Sequence, residues 1–150
     1  MFIKTMITGL IFFCSTPIWS FNCYITLAKD SCWTNYNVTV DVIDVASSTV
    51  LTTVKIPSGT SWAREKFVCR PLQKLIYQAQ FTPVFWEGDE GKTYSAERFW
   101  FMPSTINPGD TAWTIPVCFP KAFAQVPFPP DAKTANCACD FTNIPEVKPE

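Results

Sequence analysis

Asn37-Val-Thr-Val-Asp-Val-Ile-Asp-Val-Ala-Ser-Ser-Thr-Val-Leu-Thr-Thr-Val-Lys-Ile56 decides the fold class. Val38, Val40 and Val42 alternate with Thr39, Asp41 and Ile43. Side chains on a strand switch faces at every residue, so the valines fall on one face and mostly polar groups on the other. Val50, Thr52, Val54 and Ile56 repeat the pattern beyond Ser47-Ser48. Two such runs around a short polar break predict a β-hairpin, without the Asn-Gly or Asp-Gly pair that would define its turn type.

Working outward, residues 21–27 and 66–70 read as short strands, and residues 75–81 as a clean alternation with Leu75, Tyr77, Ala79 and Phe81 on one face. Residues 93–101 and 111–118 read as two further strands, the last with Trp113, Ile115 and Val117 aligned. Residues 61–65 and 120–125 each read as one loose helical turn. Turn residues separate these runs every ten or so positions, and no internal repeat or long amphipathic helix is present. The expected fold is all-β, a disulfide-stabilised β-sandwich that is immunoglobulin-like only in the broad sense. Cys69, Trp100 and Cys118 do not match the cysteine–tryptophan–cysteine spacing of a true immunoglobulin domain.

The two ends differ from the body. Lys4, the apolar run from Met6 to Cys14, Pro17 and the small Ser20 make residues 1–20 a secretory signal peptide, with cleavage expected after Ser20. No other stretch is long and apolar enough to span a bilayer. Residues 21–119 form the sandwich domain and residues 120–150 a proline-rich tail, since eight of the 13 prolines lie from Pro108 onward. Proline lacks the ladder donor, so such a tail cannot form regular sheet.

Removing residues 1–20 takes away Lys4 and Cys14, leaving 11 basic against 13 acidic residues and six cysteines. The near-neutral charge excludes the basic footprint of a nucleic-acid binder and a polybasic membrane patch. An even cysteine count in an exported chain implies disulfides, with fifteen connectivities open. Cys69 and Cys118 lie in strands and suggest a bridge between sheets. Cys137 and Cys139 lie in the tail, and their expected partners are Cys23 and Cys32, which would tie the chain ends together. A local Cys23–Cys32 bridge is the rival.

The chain has no histidine, which excludes Ser-His-Asp and Cys-His catalysis and histidine-based zinc sites. No catalytic residue, cofactor site or metal site is expected. Asp41 with Asp44, and Glu87 with Asp89 and Glu90, are the carboxylate groupings that a glycoside hydrolase would need, and the plain reading is solvated strand and loop charge. Asn37-Val38-Thr39 matches a glycosylation sequon, meaningful only in a eukaryotic host. Five tryptophans remain after residue 20; Trp100 and Trp113 read as core packing, while Trp62 and Trp86 are the better candidates for exposure. With Phe128, Pro129 and Pro130 in the tail, Trp62 and Trp86 are the candidate interaction residues, because aromatic anchors and extended proline segments both serve protein recognition.

Lys29-Asp-Ser-Cys-Trp33, Ser61-Trp-Ala-Arg64, Gly109-Asp-Thr-Ala-Trp113 and Pro129-Pro-Asp-Ala132 give the chain a further character. It resembles small exported proteins of intracellular bacterial pathogens, some of which are accessory subunits of the Dot/Icm type IV secretion core complex. The resemblance implies a periplasmic, non-enzymatic structural role with protein partners in the cell envelope, and it carries over no functional residue. The sequence-based expectation is therefore an exported interaction subunit, periplasmic or secreted. A secreted module binding carbohydrate or protein is the alternative, and a carboxylate-pair enzyme ranks third.

Overall fold

A computed structural model describes residues 11–12 and 21–148. The expected signal peptide lies, apart from Ile11 and Phe12, outside the described residues. Eight strands follow in chain order: β1 (Phe21–Lys29), β2 (Asn37–Asp44), β3 (Thr49–Ile56), β4 (Trp62–Cys69), β5 (Lys74–Thr82), β6 (Tyr94–Ser95), β7 (Trp100–Phe101) and β8 (Trp113–Phe119). They form two sheets, ordered β4-β1-β8 and β3-β2-β5-β6, with β7 also paired to β5. β1 runs antiparallel to β4 and parallel to β8, so the first and last strands lie side by side.

The two sheets share one core. Cys23, Ile25 and Leu27 of β1 and Ile115, Val117 and Phe119 of β8 face Val38, Val40 and Val42 of β2, Val54 and Ile56 of β3, and Leu75, Tyr77, Ala79 and Phe81 of β5. This is the alternation read from the sequence, with every second residue turned inward. At one end Trp33, fully buried in the 3-10 turn Ser31–Trp33, packs its ring 4.8 Å from Phe81 and from Phe119 and 5.1 Å from Tyr36. Truncating a buried tryptophan costs about 3–5 kcal/mol, so this end is a main support of the sandwich.

Several local expectations change. Residues 61–65 are not a helical turn, because residues 62–69 pair in full register with β1. The expected strand 93–101 survives only as β6 and β7, and an isolated bridge from Ala96 to Phe123 ties the gap between them to the segment after β8. Residues 120–125 form that turn and bridge rather than a helical turn, and Phe123 is buried in the core. A bulge between Val42 and Ile43 shifts the β2–β3 register, so Val50 pairs with Ile43 and turns to solvent instead of the core. One extra residue flips every side chain beyond it.

The hairpin loop needs no Asn-Gly because Asp44 takes that part. Its buried carboxylate accepts from the Ser47 N–H at 2.9 Å, the Ser47 hydroxyl at 2.6 Å and the Gln73 amide at 3.0 Å, with Arg70 at 3.6 Å. One side chain thus closes the β2–β3 loop and ties it to the β4–β5 turn. The hydrogen bonds from Ser47 and Gln73, and the Arg70 charge, hold the carboxyl below its usual range.

Three disulfides join Cys23 to Cys69, Cys32 to Cys137, and Cys118 to Cys139. The expected Cys69–Cys118 bridge is corrected. Cys69 instead joins Cys23 on the neighbouring strand of its own sheet, Cα atoms 5.8 Å apart, with both side chains in the core. Cys118 faces the other way, outward from β8, where the chain returns. Of the tail cysteines, Cys137 takes the end-to-end partner expected, Cys32, and Cys139 does not reach Cys23. The local Cys23–Cys32 bridge does not form. Spanning 105 residues, the Cys32–Cys137 bond stabilises by up to about 4–5 kcal/mol in the chain-entropy model.

Between them the two outer bridges hold a strap, residues 137–147, with a turn at Phe141–Ile144, across the outer face of β4-β1-β8. The Ser31 N–H donates to the Ala138 carbonyl at 3.3 Å, and the Arg64 guanidinium donates to the Pro145 carbonyl at 2.7 Å. Half-buried Phe141, Ile144 and Val147 line the junction with Thr26, Thr114 and Pro116. Residues 137–147 of the tail thus lie along the chain's own sheet.

Peptide mapping without reduction should return Cys23–Cys69, Cys32–Cys137 and Cys118–Cys139; a Cys69–Cys118 peptide would overturn this topology. Asp44→Asn should lower stability at neutral pH by about 1–3 kcal/mol, as for a buried charged acceptor losing its hydrogen bonds. A depressed carboxyl stabilises above its unfolded value of 3.8 and loses that contribution as pH falls through the folded one. The deficit of Asp44→Asn in urea unfolding should therefore shrink below pH 3.8; a constant deficit would show that the charge is not the cause.

Candidate interaction surfaces

The outer face of the larger sheet divides in two. Toward β6 it is polar: Asp41 accepts from the Thr53 hydroxyl at 2.7 Å, and Thr39 pairs in register with Lys55 and Gln80. Toward the β2–β3 loop it is apolar. Ile43 pairs with Val50 on one side and Ile76 on the other, forming a row of three aliphatic side chains on the solvent face. Lys74, two residues before Ile76 and so on the same face, pairs with Phe101. Its ammonium sits 3.9 Å from the Phe99 ring centre and 5.7 Å from that of Phe101. Phe101 is 64% exposed, and Leu72, in the adjoining turn, is 71% exposed. Exposed apolar side chains scattered singly are ordinary; a contiguous group across four strands is the mark of an interaction site.

Sequence reasoning singled out no residue of this apolar group as an interaction candidate. The signal for Ile43 was present, since it stands in the outward set among Thr39 and Asp41. Val50 was hidden by the bulge, and Phe99 and Phe101 looked like one side of a continuous strand.

The residues that sequence reasoning did name are spread over the surface. Trp86 is 60% exposed, in the loop after β5, against Phe85. Trp62 is half-buried on the outer face of the smaller sheet, where it lines a shallow depression with Tyr24, Arg64 and Glu65 and carries the Arg64 guanidinium 5.4 Å over its ring. Phe128 and Pro130 are exposed, but Pro129 between them is fully buried and anchors the tail to the body. Next to it the Asp131 carboxylate accepts from the Tyr36 hydroxyl at 2.6 Å and the Asn35 amide at 3.4 Å. Burial and then the Asp131 bond push the Tyr36 hydroxyl up to about 12. Trp100 and Trp113 are half-buried against the core, and among the described residues the fully buried tryptophan is Trp33.

Asp41 and Asp44 do not assemble as a pair. Asp44 turns into the protein and Asp41 out, as adjacent faces of one strand require. Glu90 accepts from the Gly88 N–H at 3.0 Å, closing its own loop. Among the described residues one cluster has metal-ligand spacing, Asp30 with Cys32 and Cys137, and both its sulfurs are committed to a disulfide. Asn37 of the sequon is exposed, but its amide donates to the Thr82 hydroxyl and its carbonyl oxygen accepts from the Ser58 N–H.

Lys29 ends the inward row of β1, where an apolar residue would be expected. Its buried ammonium donates to the carbonyls of Tyr36 at 2.7 Å, Pro57 at 3.0 Å and Thr34 at 3.4 Å. It thereby joins the Trp33 turn to the β3–β4 turn, where Gly59, in the left-handed region at φ 85°, donates to the Thr34 carbonyl. Burial pushes the lysine down to about 8.

The described residues thus form an all-β sandwich with three disulfides, which points to an oxidising environment. No family model matches the chain, and neither a curated protein nor a solved structure matches it.

Because the Lys29 value falls from 10.5 to about 8 on folding, folding releases a proton between these pH values. Stability contributed by this group therefore rises with pH across that window. The stability difference between the wild type and Lys29→Met should shift in favour of the wild type from pH 8 to pH 10.5, read as urea midpoints. A difference that stays constant would mean that the three carbonyls hold the ammonium charged throughout.

Proposed function

We propose that this protein is an exported, non-enzymatic interaction subunit of a cell-envelope assembly, of which a type IV secretion core complex is one example. One observation carries the reading: the apolar half of the outer sheet face, with Ile43, Val50, Ile76, Phe99, Phe101 and Leu72 displayed on a rigid sheet. A sheet pinned by a disulfide-braced core presents such a group without ordering cost on binding, which favours affinity. Aromatic side chains at the centre of a patch are the usual anchors of protein interfaces. The absence of histidine and the opposite facing of Asp41 and Asp44 support a binding role rather than catalysis. The apolar segment of residues 1–20 and the disulfides support export to the periplasm or medium.

A second reading has its own observation. Tyr24 and Trp62 share a shallow depression with Arg64 and Glu65, and aromatic faces beside charged hydrogen-bonding groups suit a glycan.

Isolated from its own cells after gentle detergent extraction, the protein should comigrate with a large envelope complex; a free monomer would overturn the subunit reading. Phe99→Ser with Phe101→Ser should reduce co-purification with partners about tenfold or more, the scale of one interface anchor. The same pair should leave the urea midpoint nearly unchanged, since both side chains face solvent. Quenching of tryptophan fluorescence by glycans in the wild type, lost in Trp62→Phe, would move the assignment to the second reading.

A further inference from the structure

The three disulfides are not equivalent. Cys23 and Cys69 are buried in the core, whereas the four cysteines of the other two bridges are all half-buried at the surface. Both surface bridges enter the tail through one three-residue segment, Cys137-Ala138-Cys139. Half-buried Cys137 and Cys139 flank an exposed Ala138, so the two sulfurs turn to the same side of an extended chain. They line one cleft of about 360 Å³ together with Cys118, Asp30 and Lys121. The Cys32 carboxylate neighbour is Asp30, and the cation at the cleft is Lys121. Beyond the segment the strap holds the sheet with only Phe141, Ile144 and Val147 half-buried.

We propose that Cys137-Ala138-Cys139 is a thiol–disulfide exchange site for a dithiol reductant, at which one equivalent releases both tethers of the strap. The dithiol attacks the Cys32–Cys137 bond and leaves as its own disulfide, placing one thiol on Cys32 and one on Cys137. The Cys137 thiolate then attacks the Cys139 sulfur. A Cys137–Cys139 bond forms, the Cys118–Cys139 bond breaks, and Cys118 leaves as a thiolate that takes up the proton Cys137 gave up. Two electrons and two protons enter in total. Initial attack on Cys118–Cys139 reaches the same product, with the Cys139 thiolate attacking Cys137. Two residues apart in the chain, the attacking and receiving sulfurs meet at high effective concentration, and exchange through a thiolate needs no further reagent. The freed strap regains chain entropy and uncovers buried Thr26 and Ala28 on the outer sheet face. The core bridge stays closed, so the sandwich persists while its covered face opens.

The test treats the oxidised full chain with one equivalent of dithiothreitol, traps thiols with N-ethylmaleimide and maps the peptides without reduction. The expected main product carries label on Cys32 and Cys118, an internal Cys137–Cys139 disulfide and an intact Cys23–Cys69 bridge. Hydrogen exchange of residues 141–147 should rise to the rate of free chain, with the β2 and β5 amides still protected. Label on Cys32 and Cys137 with Cys118–Cys139 retained would overturn the proposal, as would label on Cys118 and Cys139 with Cys32–Cys137 retained. Label on Cys23 or Cys69 would overturn it as well. The expected map obtained with a thioredoxin-type protein dithiol assigns the site to a protein reductant; the map obtained with dithiothreitol alone assigns it to small thiols.

Discussion

β1 is covered on both faces, and most of the architecture follows from that. Its inward row, Cys23, Ile25 and Leu27, belongs to the core, while Thr26 and Ala28 on its outward row are buried as well. A central strand flanked by β4 and β8 in a two-layer sandwich would ordinarily show its outer row to water. Here the strap supplies a third layer without being a sheet or a helix. An irregular segment of that kind buries little and pays the full ordering entropy of its backbone. Two disulfides within three residues, together with the Arg64 bond to Pro145, offset what the strap's few apolar contacts cannot.

The same strand sets up the buried end of the molecule. Its last inward residue is Lys29, whose ammonium would be costly in a core if unpaired. Three carbonyls from two turns surround it, and those turns hold Trp33 against Phe81 and Phe119. At the other end Asp44 does for the hairpin loop and the β4–β5 turn what Lys29 does here. In each case a single buried charge gathers main-chain or side-chain partners from separate turns, which aligns loops that have no sheet ladder of their own. The apolar outer patch lies on the Asp44 end, so the loop closure by Asp44 also sets the position of Val50 and Leu72.

Periodicity of two is a local property, and residues such as Val38, Val40, Leu75 and Ile115 declared their faces without any tertiary information. The even cysteine count after residue 20, the lack of histidine and the turn residues were equally local. From these the all-β disulfide sandwich was legible, and so was the tie between the tail cysteines and the start of the chain, though not which sulfurs it joins. The errors share one cause. A bulge adds a residue without leaving a compositional trace, so Val50 was assigned to the wrong face. Residues 61–65 have weak alternation, and only pairing with β1 makes them strand. Cysteine partners depend on which face of which strand each sulfur meets, and that requires the sheet order.

The surface patch shows the division most sharply. Ile43 among polar neighbours was a visible anomaly, but Ile43, Val50, Ile76, Phe99 and Phe101 are far apart in the chain and become one feature only through strand registers. By itself the sequence determined the class of fold, the oxidising setting and the absence of histidine chemistry, because composition and nearest-neighbour alternation act within a few residues. The tertiary structure alone decided which sulfurs join, which face the strap covers and where apolar residues gather in solvent, because each of these depends on contacts between segments distant in sequence.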